Sequence, residues 1–479
     1  MIEKVNLSIK KKHGRIYTPD YIVINIFDLA GYHGKGILEK HVIDNSCGDG
    51  AFLKLIVKEY CQTFLQSSKD LNLLRMHLEK YIHGIELDEI EVKSCIDNMK
   101  KVASNFGIEK YAPDVMCSDA LEVSKYDGKM DFVLGNPPYV RVHNFGDSYD
   151  KIKKYKFSEG GMTDLYIIFY EIGLKMLSQN GVLTYIAPSS WFTSVAGKKM
   201  REYFEQNSSI RSLCDLKHFQ PFNATTYTCI LTLTKKCNDS IAYYLYDSKR
   251  HEPLFLTELQ YKYVNIEGNF YFSTREDLNC LKKIINSFDL GDKVEVKNGF
   301  ATLADDIFIS NKFNFKSKYI ISIFKSSTAQ WKECIFPYIN GKLISPETLL
   351  MDEDLYLYLQ RYQEDLKKRS LDKGTLWYGF GRSQGINDVS RERIALNSLL
   401  RDLGDIKTEV LKPGTGVYSG LYILTSLPAK KIIGYIKSKE FVNYISLLGK
   451  YKSGGYYTFS SKDVKKYLVY KIMEEKNNG

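Results

Sequence analysis

Through the first half of the chain, short continuous apolar runs alternate with longer segments whose apolar residues recur every three to four positions. "HVIDNS" (41–46), "YIHGIELD" (81–88), "DVMCSDAL" (114–121) and "DFVLGN" (131–136) read as strands. Between them, "GAFLKLIVKEYCQTFL" (50–65) and "EIEVKSCIDNMKKVASNF" (89–106) read as amphipathic helices. The helical "DLYIIFYEIGLKML" (164–177) leads to the strand "GVLTYIAP" (181–188). The helix "GKKMREYFEQN" (197–207) and the strands "IRSLCDL" (210–216) and "TYTCILTLTK" (226–235) come next. Strands separated by helices of this length imply an α/β fold with a mostly parallel sheet covered on both faces. After about Lys236 the rhythm is lost: short aromatic strands, Gly-rich turns and a few helices point to a mixed α+β domain. Residues 1–245 are therefore expected to form one domain and residues 246–479 another.

Composition narrows the class. A 479-residue chain exceeds one ordinary core, so two or three domains are expected. The formal net charge of +10 permits a polyanionic partner, although a merely basic surface would give the same excess. Nine cysteines without a CxxC pair indicate neither a zinc ribbon nor a disulfide framework and fit a reducing cytoplasm. His13, His83 and His143 lack metal-ligand spacing, so no metal is expected. The N-terminus has no apolar signal core, and no apolar run approaches membrane-spanning length. The expectation is a cytoplasmic protein with no membrane partner; the sequence does not give its oligomeric state.

The strand ends carry the chemistry. "IDNSCGDGAFL" (43–53) is a strand, a tight glycine turn and a helix start, an arrangement that points backbone amides at a ligand. Alone it serves packing as often as binding. The next strand ends at Glu86, where nucleotide-type ligands have their ribose hydroxyls bound, and the third ends at Asp119, placed to accept from an adenine amino group. Each acid by itself is an ordinary loop charge. In order, the three ends suit an adenosyl ligand.

The fourth strand ends in Asn136-Pro137-Pro138-Tyr139, a tetrapeptide that chance supplies in roughly one chain of this length in several hundred. Prolines stop the strand and hold an extended loop. An exocyclic amino group on a purine is a poor nucleophile because its lone pair is delocalised into the ring. A side-chain amide oxygen and a backbone carbonyl can accept its two N–H bonds and favour a more tetrahedral nitrogen. Tyr139 offers a face on which a planar base stacks.

Over residues 13–236 this ordering resembles the gamma-group adenine-N6 DNA methyltransferases of restriction–modification systems. The resemblance implies a Rossmann-like, S-adenosylmethionine-dependent catalytic domain followed by a target-recognition domain. "GRIYTPDYIV" supplies the family's N-terminal closure over the methionine end, at Tyr17, Thr18 and Pro19. Cofactor contacts fall on Asp44, Cys47, Gly48, Gly50, Glu86, Asp119, Asn136 and Phe169. The catalytic set falls on Asn136, Pro137, Pro138, Tyr139 and Phe222, with Phe219 a rival for the base-stacking aromatic. Asn45-Ser46 stands where the family usually has Pro-Ala, and Asp49 where Ser or Thr is common. The implied partner is double-stranded DNA. Only about 43 residues precede the first strand, too few for a fused nuclease, so cleavage would belong to a separate cognate endonuclease.

In the C-terminal half the resemblance is weaker, resting on "GFATLADDIFI" and "SGGYYTFSSKDVKKYLV". The loops "WYGFGRSQG", "KPGTGVYSG" and "GKYKSGGYYTFSSK" interleave basic, aromatic and Gly residues, a composition suited to phosphate and base contacts. Packed hairpin turns would read the same way. Methylation of RNA or of release-factor glutamine uses the same tetrapeptide, usually without the closure segment or a large C-terminal domain. A non-catalytic DNA-specificity subunit would need neither.

Overall fold

A computed structural model describes residues 17–141, 149–160, 163–222, 226–287 and 293–478, in two compact units, residues 1–279 and 280–479. In the first unit the strands are β1 (Val42–Asp44), β2 (Ile82–Glu86), β3 (Asp114–Cys117), β4 (Met130–Gly135), β5 (Leu177–Pro188), β6 (Ile210–Asp215), β7 (Thr228–Thr234), β8 (Ile241–Asp247) and β9 (Glu252–Leu259). They form one nine-stranded sheet in the order β3-β2-β1-β4-β5-β7-β6-β8-β9. β7 and β9 run against the rest, so the sheet is mostly parallel, as expected from its helical crossovers. The sheet includes β8 and β9, which is why the first unit continues to Asn279.

The chain begins in the middle of the sheet, at β1, moves out to β3, then crosses back to β4 on β1's other side. Such a reversal opens a crevice at the carboxyl ends of the flanking strands. β1 and β2 pair in parallel with Asp44 opposite Gly84, and β1 pairs with β4 through Ile43 and Val133. Asp44, Glu86 and the residue after Gly135 therefore reach the same edge.

Helices cover both faces. On one side lie α1 (Asp20–Ala30), α2 (Ala51–Leu65), α3 (Leu71–Tyr81) and α4 (Glu89–Ser104), which bury Ile22, Phe52, Leu78 and Met99. On the other, α5 (Leu165–Met176) and α6 (Lys198–Asn207) bury Ile168, Tyr170, Met200 and Phe204. α5 is apolar on nearly every side and is buried except at Lys175. The apolar patterning of the sequence does not single out α3, which Asp70 starts by accepting from Leu73 N–H at 2.9 Å.

The loop after β5 is held by one buried cation. Arg201 of α6 donates to the carbonyls of Trp191 (2.6 Å), Ser194 (2.8 Å) and Gly268 (2.7 Å). These bonds offset part of the desolvation of the guanidinium, most directly at the buried Trp191 carbonyl.

The second unit is built mostly on antiparallel pairing, with one parallel pair between Ile320–Lys325 and Gly416–Tyr418. One four-stranded sheet joins Val294–Asn298, Leu421–Thr425, Arg393–Leu396 and Thr408–Leu411; another joins Ile309–Ser310, Gln330–Ile335, Ile320–Lys325 and Gly416–Tyr418. With its helices, from Pro346–Leu350 to the 18-residue Ser461–Asn478, this is the expected mixed α+β architecture. Its core gathers Phe300, Phe308, Phe336 and Phe380, and Phe300 stacks on Phe380 with centroids 4.8 Å apart.

Arg201→Met keeps the aliphatic stem and strands three carbonyls. It should cost on the order of 3 kcal/mol, read as a lower urea midpoint at unchanged m-value. An unchanged midpoint would show the loop to be held by something else.

Candidate active site

The turn between β1 and α2 is shaped by two glycines with left-handed backbones, Gly48 (φ 52°) and Gly50 (φ 88°). They do different work. A Cβ on Gly50 would lie 2.9 Å from Cys95 Sγ and 3.3 Å from its Cα, so Gly50 permits α2 to start against α4. A Cβ on Gly48 would meet nothing within 4 Å; its conformation turns the Gly48 N–H onto Glu86 Oε2 at 2.9 Å. Glu86 Oε1 accepts from the N–H groups of Leu87 (2.9 Å) and Asp88 (3.0 Å). With a carboxylate's four lone-pair sites, those three bonds leave Oε2 one site for a ligand hydroxyl.

Asp44 is almost fully buried at the end of β1 and accepts from Ser46 N–H at 3.0 Å. Burial pushes its carboxyl up to about 8; the Ser46 bond opposes this, and the nearby Glu86 charge adds to it. Gly135, at the end of β4, faces it closely: a Cβ there would stand 2.7 Å from Asp44 Oδ1. Asn45, the departure from Pro, turns away into the core, where its Oδ1 accepts from Tyr185 Oη at 2.7 Å. Ser46, the departure from Ala, donates through Oγ to the main-chain carbonyl of Asn136 at 3.4 Å. Asp119 accepts from Leu121 N–H (3.0 Å) and from Lys151 Nζ (3.2 Å), which also pairs with Glu122.

A cavity of about 370 Å³ opens at this edge. Tyr17, Thr18, Asp44, Cys47, Gly48 and Glu86 line it, as do Asp119, Asn136, Pro138 and Phe169. Gly50, Pro137, Tyr139 and Phe222 are not in its wall. Sequence reasoning did not assign Glu91, Ser118 or Val140 to this wall. Glu91 is foreshadowed only by its place in the first turn of α4, after the Asp88 cap. Six lining residues are acidic, Asp44, Asp49, Glu86, Asp88, Glu91 and Asp119, and among the described residues no Lys, Arg or His joins them.

The Asn136 amide donates through Nδ2 to Thr18 Oγ1 at 3.0 Å. Tyr139 is anchored by its hydroxyl, which donates to the Ile186 carbonyl at 3.1 Å. Its ring meets Phe222 edge to face, centroids 6.3 Å apart at 72°. Phe219 stacks instead on Tyr246, with centroids 4.8 Å apart. His13 and His143 lie outside the described residues. His83 bonds His41 (2.9 Å) and Asp114 (2.7 Å) at the amino ends of β1–β3, away from the cavity. Among the described residues no group of three or more His, Cys, Asp or Glu is placed to hold a metal ion, and no helix is long and apolar enough to cross a membrane.

The model of the Eco57I restriction-modification methylase family matches residues 4–222. The match covers a little under half of the chain. Across its relatives, the chain is 26% identical to the Type II methyltransferase M.BstVI of Geobacillus stearothermophilus, over 76% of this chain and 73% of that protein. It is 26% identical to the Type II restriction enzyme and methyltransferase RM.Eco57I of Escherichia coli, over 80% of this chain and 42% of that protein. The chain thus spans under half the length of RM.Eco57I. Among solved structures, the Type IIL restriction-modification enzyme MmeI in complex with DNA aligns with a TM-score of 0.63, covering 96% of this chain and 68% of that one. At 14% identity that likeness concerns the fold. A methylase of this family takes its methyl group from S-adenosylmethionine. The cavity suits that molecule: its sulfonium and ammonium are cations, and among the described residues the ionisable Asp, Glu, Lys, Arg and His side chains of the wall are all acids.

Two outcomes are expected for the cofactor-free protein. An acid whose folded pKa is raised contributes stability that is complete below its unfolded value near 3.9 and lost as pH rises through about 8. Asp44→Asn should therefore gain stability over the parent by about 1 kcal/mol per pH unit between pH 5 and 8, measured by urea unfolding; a pH-independent difference would place the Asp44 carboxyl in water. Glu86→Ala removes the acceptor of three turn amides. It should weaken S-adenosylmethionine binding by about 1–3 kcal/mol in calorimetry and lower the melting temperature without cofactor. Unchanged affinity would remove Glu86 from the site.

Proposed function

We propose that this chain methylates N6 of an adenine flipped out of double-stranded DNA. The first unit, residues 1–279 rather than 1–245, acts as the catalytic domain and the second, residues 280–479, as the target-recognition domain. The observation that carries this reading is the amide of Asn136: it stands at the end of β4 beside an acid-lined cavity, with its donor end on Thr18. DNA is favoured as the substrate because the relatives are restriction–modification methyltransferases and the chain carries net charge +10. A separate cognate endonuclease fits the same setting.

S-adenosylmethionine, when bound, supplies an electrophilic methyl group on a sulfonium. Glu86 would hold its ribose, Asp119 its adenine amino group and Phe169 the adenine face; Tyr17, Thr18, Asp44, Cys47 and Gly48 would surround the methionine end, on a turn that Gly50 shapes. A stacked adenine cannot aim its amino group at that methyl, so it leaves the duplex. The Asn136 Oδ1 and Pro137 carbonyl accept the two amino hydrogens and turn the nitrogen lone pair toward the methyl. Pro137 and Pro138 keep those acceptors extended. Positioning and fixed dipoles carry the rate, with no covalent enzyme intermediate.

Tyr139 and Phe222 flank the base. A ring held between two faces needs about 7 Å between parallel planes, two carbon contacts of about 3.5 Å. The present edge-to-face pair leaves no such slot. Tyr139 is pinned through Ile186, so Phe222 is the ring that shifts on base entry.

Single-turnover methylation of unmethylated duplex DNA at saturating cofactor tests the reading. Asn136→Ala should slow transfer about 10²–10³-fold. Tyr139→Phe keeps the stacking face and should lose far less than Tyr139→Ala, though it releases the Ile186 carbonyl. Wild-type rates for Asn136→Ala would show that this loop is not the catalytic centre.

A further inference from the structure

Arg369 and Arg393 hold main chain together in the second unit. Arg369 donates Nη1 to the Thr302 carbonyl (2.5 Å) and Nη2 to the carbonyls of Trp377 (2.6 Å) and Gly379 (3.0 Å). Arg393 is buried and spends Nη2 on the carbonyls of Val389 and Thr415. Arg401 is used differently. It is exposed, and its main-chain N–H (2.9 Å) and its Nε (3.3 Å) both donate to Asp405 Oδ2. Its guanidinium lies over the Tyr456 ring, 4.6 Å from the centroid. Among the described residues nothing accepts from Nη1 or Nη2. A clamped, planar fork with both tips open loses little freedom on meeting a ligand with two acceptors.

The clamp is itself held. The Asp405 carbonyl accepts from Asn397 Nδ2 at 2.9 Å, and Asn397 Oδ1 accepts from Lys407 N–H at 2.9 Å. Along the arginine stem runs the Ser453–Gly455 turn, where a Cβ on Gly455 would stand 3.6 Å from Arg401 Cδ. Strand register sets the surroundings. Leu399–Leu400, Tyr456–Thr458 and Tyr451–Lys452 form a three-stranded sheet, with Leu400 opposite Tyr457 and Tyr457 opposite Tyr451. Those three share the inner face: Leu400 is fully buried, and the two tyrosine rings meet with centroids 5.7 Å apart. By alternation the outer face carries Arg401, Tyr456 and Lys452 in one row across the strands, with Leu399, 40% exposed, beside them. Lys452 is exposed. The acids nearby are committed: Asp405 to Arg401, Asp402 to Gly404 N–H (2.8 Å) and Asp463 to Lys450 (2.6 Å). A small sheet with a basic and aromatic outer row has the shape and sign to enter a major groove.

We propose that Arg401 determines one position of the DNA sequence this chain recognises: Nη1 and Nη2 donate to O6 and N7 of a guanine in the major groove, and Lys452 meets a phosphate beside it. The assignment deepens the reading of the second unit as the target-recognition domain and rests on it. A guanine edge presents two acceptors side by side, the pattern that a two-donor fork matches. Asp405 takes the Nε side of the guanidinium and leaves the Nη1–Nη2 end for the base. Such a contact carries sequence information, whereas a phosphate contact carries none.

The test incubates the full chain and S-adenosylmethionine with genomic DNA amplified in vitro, which starts unmethylated; single-molecule sequencing then gives the methylated motif. Arg401→Ala should lower the rate at parental sites roughly ten- to hundred-fold and admit other base pairs at one position where the parent demands G·C. The other positions should keep their parental bases. Cofactor affinity in calorimetry should stay at the parental value, because the cavity is lined by the first unit. Asp405→Asn loosens the fork and should relax the same position to a smaller degree. A parental motif without a G·C pair overturns the proposal. So does an Arg401→Ala motif identical to the parent's, whether the rate is unchanged or falls alike at every site, as it would for a phosphate contact. A parent that leaves no methylated motif overturns the reading beneath, and the proposal with it. The parent thus reports on that reading, and the variant measured against the parent reports on Arg401.

Discussion

The cavity edge of the first unit depends on one charge-assisted bond, from Gly48 N–H to Glu86 Oε2. Register makes it possible. Parallel pairing sets Asp44 beside Gly84, so the carboxylate two residues further along β2 arrives where β1 gives way to its turn. The left-handed backbone at Gly48 then aims the amide at it, and Leu87 and Asp88 add two more amides from its own strand end. Such a bond to an ionised acceptor is about twice as strong as a neutral one. It fixes the turn against the second strand, and the turn in turn places Ser46 under the Asn136 carbonyl. The cavity is thus a by-product of main-chain bonding among neighbouring strand ends.

How much of this is legible in the chain differs by element. Strands β1–β7 and the helices α2, α4, α5 and α6 show in the apolar patterning, because each must be buried on two faces or along one stripe. The helix at Leu71–Tyr81 does not stand out, although Leu71, Leu74 and Leu78 recur at helical spacing; most of its other residues are polar, and Leu71 and Leu73 are exposed. The residues lining the cavity are legible because strand ends at a switch point face one crevice whatever their side chains do. The partners of those side chains are not. Nothing in "DNSCGDG" says that Asn45 turns inward to Tyr185, or that Gly50 answers to Cys95 while Gly48 answers to Glu86. Those depend on contacts between residues 38 to 140 positions apart.

In the second unit, loops whose composition suits base stacking are largely packed. Tyr378 and Phe380 of "WYGFGRSQG" are buried, and Arg369 binds the carbonyls of Trp377 and Gly379 from inside. Tyr418 of "KPGTGVYSG" donates to Asp305, and Tyr456 lies under Arg401. Composition alone cannot separate a ring offered to a base from a ring closing a hairpin, since both call for aromatic and Gly residues. Arg382, exposed beside the packed rings and paired with Asp372, shows how the same loop can be core on one side and charged on the other.

A wall of carboxyl groups without a cation has a consequence for what the cavity refuses. The commonest adenosine compounds in a cell are nucleotides, and each carries phosphate where the cofactor carries methionine. A phosphate entering past Glu86 toward Asp49 would meet like charge, with no lysine, arginine or histidine among the described residues of the wall to receive it. Adenine and ribose could be matched equally well by ATP, so the base and sugar contacts cannot discriminate. The discrimination lies in sign. The glycine turn, which in nucleotide-binding proteins offers its amides to a phosphate, here spends the Gly48 amide on its own carboxylate and so has one amide fewer for an anion.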